Sequence, residues 1–253
     1  MDASPQYPPG VHRLGDGMVN FYLVEEPDGL VLIDAGLPKH WDALAARLAE
    51  LGAAPGDVRA LLLTHAHPDH LGLAARLHDE AGTAVWVHEA DAATLAAKNP
   101  ALAAAKPERA LAGYLARRPA ALALPVHLAR RGGFRLSPVA NPHTFAERQE
   151  LTAVPGRPEV LPLPGHTPGS VAYVFADRGV AFTGDALVTF DGLTGKHGPR
   201  LVCRGFTHDS AAAYAALDVL ERLDVPLALP GHGDPMADGL AAAVDHARHV
   251  GVV

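Results

Sequence analysis

The 253-residue chain is 49% apolar and carries 21 Lys/Arg against 28 Asp/Glu, a formal charge of −7. That is enough apolar material for one large domain or two small ones with a sizeable core. No run approaches the roughly 18 uninterrupted apolar residues of a membrane helix, and basic residues cluster only in pairs such as Arg117-Arg118 and Arg130-Arg131, so neither a membrane nor a nucleic acid is an expected partner. The single cysteine, Cys203, excludes an internal disulfide and reads as a small buried or half-exposed side chain. The segment MDASPQYPPG lacks the basic and apolar regions of a signal peptide, and a cytoplasmic location is the expectation.

In chain order, VNFYLVEE and GLVLIDAG predict two strands joined by a turn at Pro27-Asp28-Gly29. Residues 40–51 place apolar side chains at helical spacing and stop at Gly52. VRALLLTHAH predicts a strand running into a loop, LGLAARLHDEAG a helix ending at Gly82, and TAVWVHE a further strand. This alternation predicts helices layered over sheets. Residues 90–130 are alanine-rich and helical, with prolines at 100, 107, 119 and 125. Residues 131–157 read as loop with a short strand near Thr144. Strands resume at EVLPLPG, SVAYVFA and GVAFTG, and 186–208 read as a long loop. Asp209 or Ser210 caps a helix through Leu223. VPLALPGHG is a last strand and loop, and a final helix covers about 238–249.

The chemistry concentrates at strand ends. Thr64-His65-Ala66-His67-Pro68-Asp69-His70 follows the buried-looking run Leu61-Leu62-Leu63. Three imidazoles and a carboxylate this close suit zinc, iron or manganese. A turn there would aim His65 and His67 at one ion and Asp69 and His70 at another. Three more candidate ligands end strands in the same way: His166 in PGHTPGS, Asp185 in TGDAL and His232 in PGHGDP. The glycines beside them permit close approach of main chain to the site, and ligands on loops at strand ends are what a preformed centre requires.

The ordered set HAHPDH, PGHTPGS, GDAL and PGHG, with VLIDAG at 31–36 ahead of it, resembles the metallo-β-lactamase superfamily. The resemblance covers about residues 10–90 and 158–250. It implies an α+β, four-layer αββα sandwich, here as one domain over 1–253 with a helical, lid-like insert at about 90–157. It also implies two divalent metal ions, zinc first with iron or manganese as alternatives. His65, His67 and His166 would hold one ion, Asp69, His70 and His232 the other, and Asp185 would bridge them. A hydroxide shared by the two ions would attack a substrate carbonyl polarised by one of them. Asp69 and Asp185 would be the catalytic carboxylates, with Asp69 orienting or relaying a proton. Asp34 and Thr64 are expected behind the liganding imidazoles, fixing their tautomers.

Departures within the family narrow the activity. The true β-lactamases place cysteine or serine at one of these second-site or bridging positions, whereas Asp69, His70 and Asp185 resemble the glyoxalase II type of centre. Glyoxalase II carries a C-terminal helical domain, and this chain ends 21 residues after His232. Acyl-homoserine lactonases of this type have a tyrosine three positions after the bridging aspartate, where Val188 stands here. The expectation is a hydrolase of an ester, thioester or lactone of a small, partly hydrophobic molecule, its pocket walled by Leu111, Tyr114, Leu115 and Leu122 of the insert. His88, His197 and His208 are more ordinary histidines that lie within reach of such a pocket. The alternative is a mononuclear iron oxidoreductase resembling persulfide dioxygenase. No nucleic acid or membrane partner is expected, and a homodimer is left open.

Overall fold

The computed structural model describes residues 7–252. β1 (Val11–Gly15), β2 (Asn20–Glu26) and β3 (Gly29–Ile33) form an antiparallel meander. α1 (Trp41–Glu50) crosses over to β4 (Val58–Leu62), and α2 (Ala74–Ala81) to β5 (Ala84–His88), which extend the sheet in parallel. Four short helices come next: α3 (Glu89–Leu95), α4 (Pro100–Ala103), α5 (Leu111–Arg117) and α6 (Ala123–Arg130). β6 (His143–Phe145) then closes the six-stranded sheet beside β5.

The second sheet begins with β7 (Gln149–Glu150), β8 (Glu159–Pro162), β9 (Val171–Phe175) and β10 (Val180–Gly184), all antiparallel. A separate hairpin of β11 (Val188–Asp191) and β12 (Lys196–Arg200) follows, then α7 (Ser210–Glu221). β13 (Leu227–Pro230) joins parallel to β10, giving the order β13-β10-β9-β8-β7, and α8 (Leu240–Val250) ends the fold.

Strand alternation builds the layers, because successive side chains point to opposite faces. Tyr22, Val24, Val31, Ile33 and Leu62 meet Val160, Tyr173, Phe175 and Phe182 between the two sheets. Leu23, Leu32, Leu61 and Val85 point the other way, onto Leu44 and Leu48 of α1 and Leu77 of α2. On the far side Leu163, Ala172 and Ala228 pack against Leu217 and Leu220 of α7 and Val244 of α8. The arrangement is the αββα sandwich. No helix among the described residues is long and apolar enough to cross a membrane.

Three local expectations change. β1 lies outside the predicted strands; its half-buried, charge-bearing VHRLG sequence hides a strand whose only buried side chains are Val11 and Leu14, on opposite faces of the sheet. Residues 186–208 are not one long loop, since they contain the β11–β12 hairpin. Gly192, Gly195 and Gly198 and a register shift between Val188 and Phe190 break the period that would have revealed it. The helix expected from Leu71 starts at Ala74, since Gly72 N and Leu73 N donate to Gly36 O and Ala35 O in the turn after β3. Of the two candidate caps for α7, Asp209 is the one whose carboxylate accepts from Ala212 N.

Candidate metal centre

The C-terminal ends of β4, β10 and β13, and the turn that follows β8, open at one edge of the sandwich. The loop leaving β4 carries His65 to His70. It is pinned across the two sheets, because Val171 N donates to Thr64 O at 2.9 Å and the buried Tyr173 hydroxyl to Leu63 O at 2.9 Å. His166 follows β8 in a tight turn, where Gly165 has φ +146° and a Cβ would sit 2.2 Å from Ala213 N. Asp185 and His232 follow β10 and β13, which are paired, and Gly231 N donates to Gly184 O at 2.9 Å. A Cβ on Gly231 would lie 2.3 Å from Asp185 Oδ1 and 2.7 Å from His70 Cε1. Only glycine admits both side chains here.

All seven predicted ligands converge. Asp185 is central: Oδ2 lies 3.1 Å from His232 Nε2, 3.5 Å from His166 Nε2 and 4.0 Å from His65 Nε2, and Oδ1 lies 3.5 Å from His70 Nε2. Asp69 Oδ2 is 3.4 Å from His232 Nε2 and 4.0 Å from His70 Nε2. His67 Nδ1 and His166 Nε2 face each other at 2.8 Å. Three sets have donor atoms within 4.8 Å of one another: His65/His67/His166, His65/His70/Asp185 and Asp69/His70/His232. His65 Nε2, His70 Nε2 and Asp185 Oδ1 are buried without a hydrogen-bond partner. Buried donors and acceptors are rarely left so, and the imidazole and carboxylate set suits a divalent transition metal.

The outer support is equally specific. Asp34 accepts from Thr64 N at 2.8 Å, from Thr64 Oγ1 at 2.8 Å and from His70 Nδ1 at 2.9 Å. Thr64 Oγ1 in turn accepts from His65 Nδ1 at 3.0 Å. These bonds leave Nε2 of both rings as the inward lone pair. Asp34 is therefore more than a turn residue; in the left-handed conformation, φ 59°, it holds His70 directly and His65 through Thr64. His232 Nδ1 donates to Met18 O.

A residue that sequence reasoning missed is Asp91, at the start of α3. It is 3% exposed and accepts from Ala66 N at 2.8 Å, Thr167 Oγ1 at 2.7 Å and Gly169 N at 3.0 Å. It ties the His65–His67 loop to the turn bearing His166. In the sequence it looks like an ordinary acid in the first turn of a helix. His88, His197 and His208 stay outside the cavity. His88 bonds Ala90 N and Ala146 O, His197 packs on the ring of Phe190, and His208 bonds Lys106 O. Cys203 is buried, and burial together with Asp191 pushes its thiol up to about 12.

Electrostatically the centre has two halves. Burial, joined by mutual repulsion with its neighbours, drives His65 well below its ordinary pKa, and burial with the charge of His67 brings His166 down to about 3. Both present neutral lone pairs at pH 7. Burial also opposes charge on His70 and His232, but carboxylates outweigh it. Asp34, Asp185 and Asp69 push His70 up to about 9, and Asp185 and Asp69 raise His232 well above the usual range. Burial likewise works against ionised Asp69 and Asp185, yet these histidines hold both well below the usual carboxylate range. This half demands positive charge, which protons or metal cations both satisfy.

A cavity of about 270 Å³ opens over the centre. His67, Asp69, His166, Asp185 and His232 form its floor. Leu111, Leu115, Leu124, Leu128 and Phe134 of the helical segment and Phe190 of the hairpin form its walls. Tyr114 and Leu122, expected there, are not lining residues; Leu122 is 51% exposed on the outside. No Lys or Arg among the described residues lines the cavity. Asp191 does, but its carboxylate is occupied by the backbone N–H groups of Leu193, Thr194 and Cys203.

This fold and this edge define a class. A model of the metallo-beta-lactamase superfamily matches residues 14–232, and the chain belongs to that superfamily of metal-binding proteins. Among curated relatives, it is 27% identical over 247 residues to the probable metallo-hydrolase YflN of Bacillus subtilis, covering 90% of this chain and 85% of that one. It is 30% identical over 156 residues to the hydroxyacylglutathione hydrolase GloC of Haemophilus influenzae, covering 61% of this chain and 59% of the relative. Among solved structures, the metallo-beta-lactamase family protein TTHA1429 from Thermus thermophilus superposes with a TM-score of 0.66 at 27% identity, over 94% of this chain and 78% of that one. TTHA1623, solved in a di-iron-bound form, superposes with a TM-score of 0.58 at 29% identity, over 94% and 97% of the two chains.

Proposed function

We propose that the protein is a dinuclear hydrolase of an ester, thioester or lactone whose substituents are largely apolar. The observation that carries this reading is the convergence of seven donor residues, with Asp185 at their centre. His65, His67 and His166 would hold one ion, Asp69, His70 and His232 the other, and Asp185 would lie between them. The relative named for hydroxyacylglutathione hydrolysis and the di-iron form of TTHA1623 support a two-metal hydrolytic centre. Zinc is the first candidate, with iron or manganese as the alternatives, and a cytoplasmic setting is part of the same reading.

Two divalent cations held by these residues would supply Lewis acidity, lowering the pKa of a bound water and polarising a carbonyl. The chain's own residues do the rest. Asp69 stands on the cavity floor, where its carboxylate would accept and relay a proton during bond cleavage. Asp34, Thr64 and Asp91 hold the rings in place. The leucines and Phe134 exclude water and bind the apolar substituent. Val188 is buried in β11 and does not line the cavity, so no tyrosine-like donor stands at that place and Asp69 is the group left for the leaving-group proton. With no Lys or Arg on its walls, the cavity offers a substrate carboxylate no side-chain cation beyond the metal floor, which disfavours substrates that carry a carboxylate away from the scissile bond, as β-lactams and glutathione thioesters do. The persulfide dioxygenase alternative needs one ion on two histidines and an aspartate, and the convergence of all seven donors does not favour it.

The test is metal analysis of the purified protein followed by a panel of ester, thioester, lactone and β-lactam substrates. Two ions per chain and turnover of uncharged apolar esters, thioesters or lactones are expected. A single ion, unchanged in content and activity when His70 and His232 are both replaced by alanine, would overturn the reading.

A further inference from the structure

The helical segment over the cavity differs in charge from the rest of the chain. Residues 98–135 hold eight of the 21 Lys/Arg and one of the 28 Asp/Glu, a surplus of seven positive charges in a chain of net −7. Two of the eight are half-buried and bonded to other segments: Arg118 bonds the carbonyls of Gly192 and Leu193, and Arg131 pairs with Asp16. The other six, Lys98, Lys106, Arg109, Arg117, Arg130 and Arg135, are exposed. The lone acid, Glu108, is engaged by Ser210 N and Oγ.

The same segment is apolar on its outside. Five of the six exposed large apolar side chains among the described residues lie in it: Leu102 at 81% exposure, Leu111, Leu122, Val126 and Phe134. Leu122, just ahead of α6, and Val126 and Arg130 within it recur at a spacing of four and are exposed, while Leu124 and Leu128 face the cavity. Leu111 and Phe134 are both exposed and lining, so the outer apolar surface runs into the cavity mouth.

Exposed leucine and phenylalanine interleaved with arginine and lysine on short helices is the pattern of an element that lies in a membrane interface. We propose that residues 98–135 form a docking surface for an anionic lipid bilayer, with the apolar side chains at the acyl boundary, the basic ones at the headgroups and the cavity mouth facing the lipid. Charge selects this occupant. A two-fold contact with a second copy would set one surplus of seven positive charges against another. A nucleic acid would satisfy the cations but leave Leu102, Leu122 and Val126 against phosphate and water. The net charge of the whole chain, −7, masks the segment.

The experiment is co-sedimentation of the full-length protein with vesicles of phosphatidylcholine alone and of phosphatidylcholine mixed with phosphatidylglycerol. Binding to the mixed vesicles is expected at least about tenfold more tightly than to the neutral ones, and weaker in high salt. Combined Leu102→Asp, Leu122→Asp and Val126→Asp substitutions, all outside the cavity lining, should abolish it with an unchanged thermal melt. Arg117→Glu with Arg130→Glu should weaken it. Failure to bind either vesicle, or wild-type binding by the triple variant, would overturn the proposal. So would a dimer in sedimentation equilibrium that the triple variant dissolves, or tighter binding to an oligonucleotide than to vesicles. None of these readouts is catalytic, so docking and the proposed hydrolysis fail separately.

Discussion

The floor and the roof of the cavity are held in different ways. The floor rests on strand ends pinned by buried hydrogen bonds, with Asp34 and Asp91 each accepting three of them. The roof, α4 to α6, contributes leucines inward but keeps leucines outward, and is tied down at a few points. Asp16 is one of these. Its Oδ2 lies 2.9 Å from His40 Nε2, 2.9 Å from His127 Nε2 and 3.0 Å from Arg131 Nε, so one carboxylate joins the β1–β2 turn to α6. Burial opposes its charge, but His40 and His127 hold it well below the usual range. Geometry fixed to fractions of an ångström serves chemistry; a loosely tied apolar wall serves substrates of varied shape. Floor mutations should therefore act on metal and rate, and roof mutations on substrate choice.

The largest effect expected is at Asp69. Asp69→Asn keeps the size but removes the charge and proton-accepting capacity, and hydrolysis should fall by at least about two orders of magnitude. If Asp69 only caps the following turn, asparagine would serve as well and activity would persist. Asp34→Asn comes next. Asparagine tolerates the left-handed backbone, so the fold should survive, while metal affinity in a competitive chelator titration drops about 10- to 100-fold.

Asp91→Asn turns an amide N–H toward at least one of three donors. The cost should be about 1–3 kcal/mol, read as a lower melting temperature in excess chelator and weaker retention of the ion on His65, His67 and His166. A full melting temperature and full metal content would remove Asp91 from the floor.

On the roof, Leu128→Ser should lower kcat/KM for a long-chain ester by roughly tenfold, with metal content and turnover of a short ester unchanged. Asp16→Asn should have the smallest effect, about 1 kcal/mol. It should appear as a few-fold higher KM for the long-chain ester at constant kcat. Loss of metal in either roof variant would erase the distinction between floor and roof.

The seven donors were legible because each sits in a short motif at a strand end, where residue type and neighbouring glycine are local properties. The strands around them were legible for the same reason: Leu61, Leu62 and Leu63, or the alternation in VNFYLVEE, register burial directly. The sandwich itself was expected from resemblance. The hairpin at 188–200 was not visible, because its pairing depends on a bulge and on partners across the turn. Asp91 and Asp16 were not visible either. Each works by joining segments 24 to 115 positions away, Asp16 to His40 and Arg131 or Asp91 to Ala66 and Gly169. The sequence by itself determined which atoms can bind metal and which strands are buried, because side-chain chemistry and periodicity are properties of short stretches. Only the tertiary structure decided which loops share a carboxylate and which leucines face the cavity or the solvent, because those depend on contacts between residues far apart in the chain.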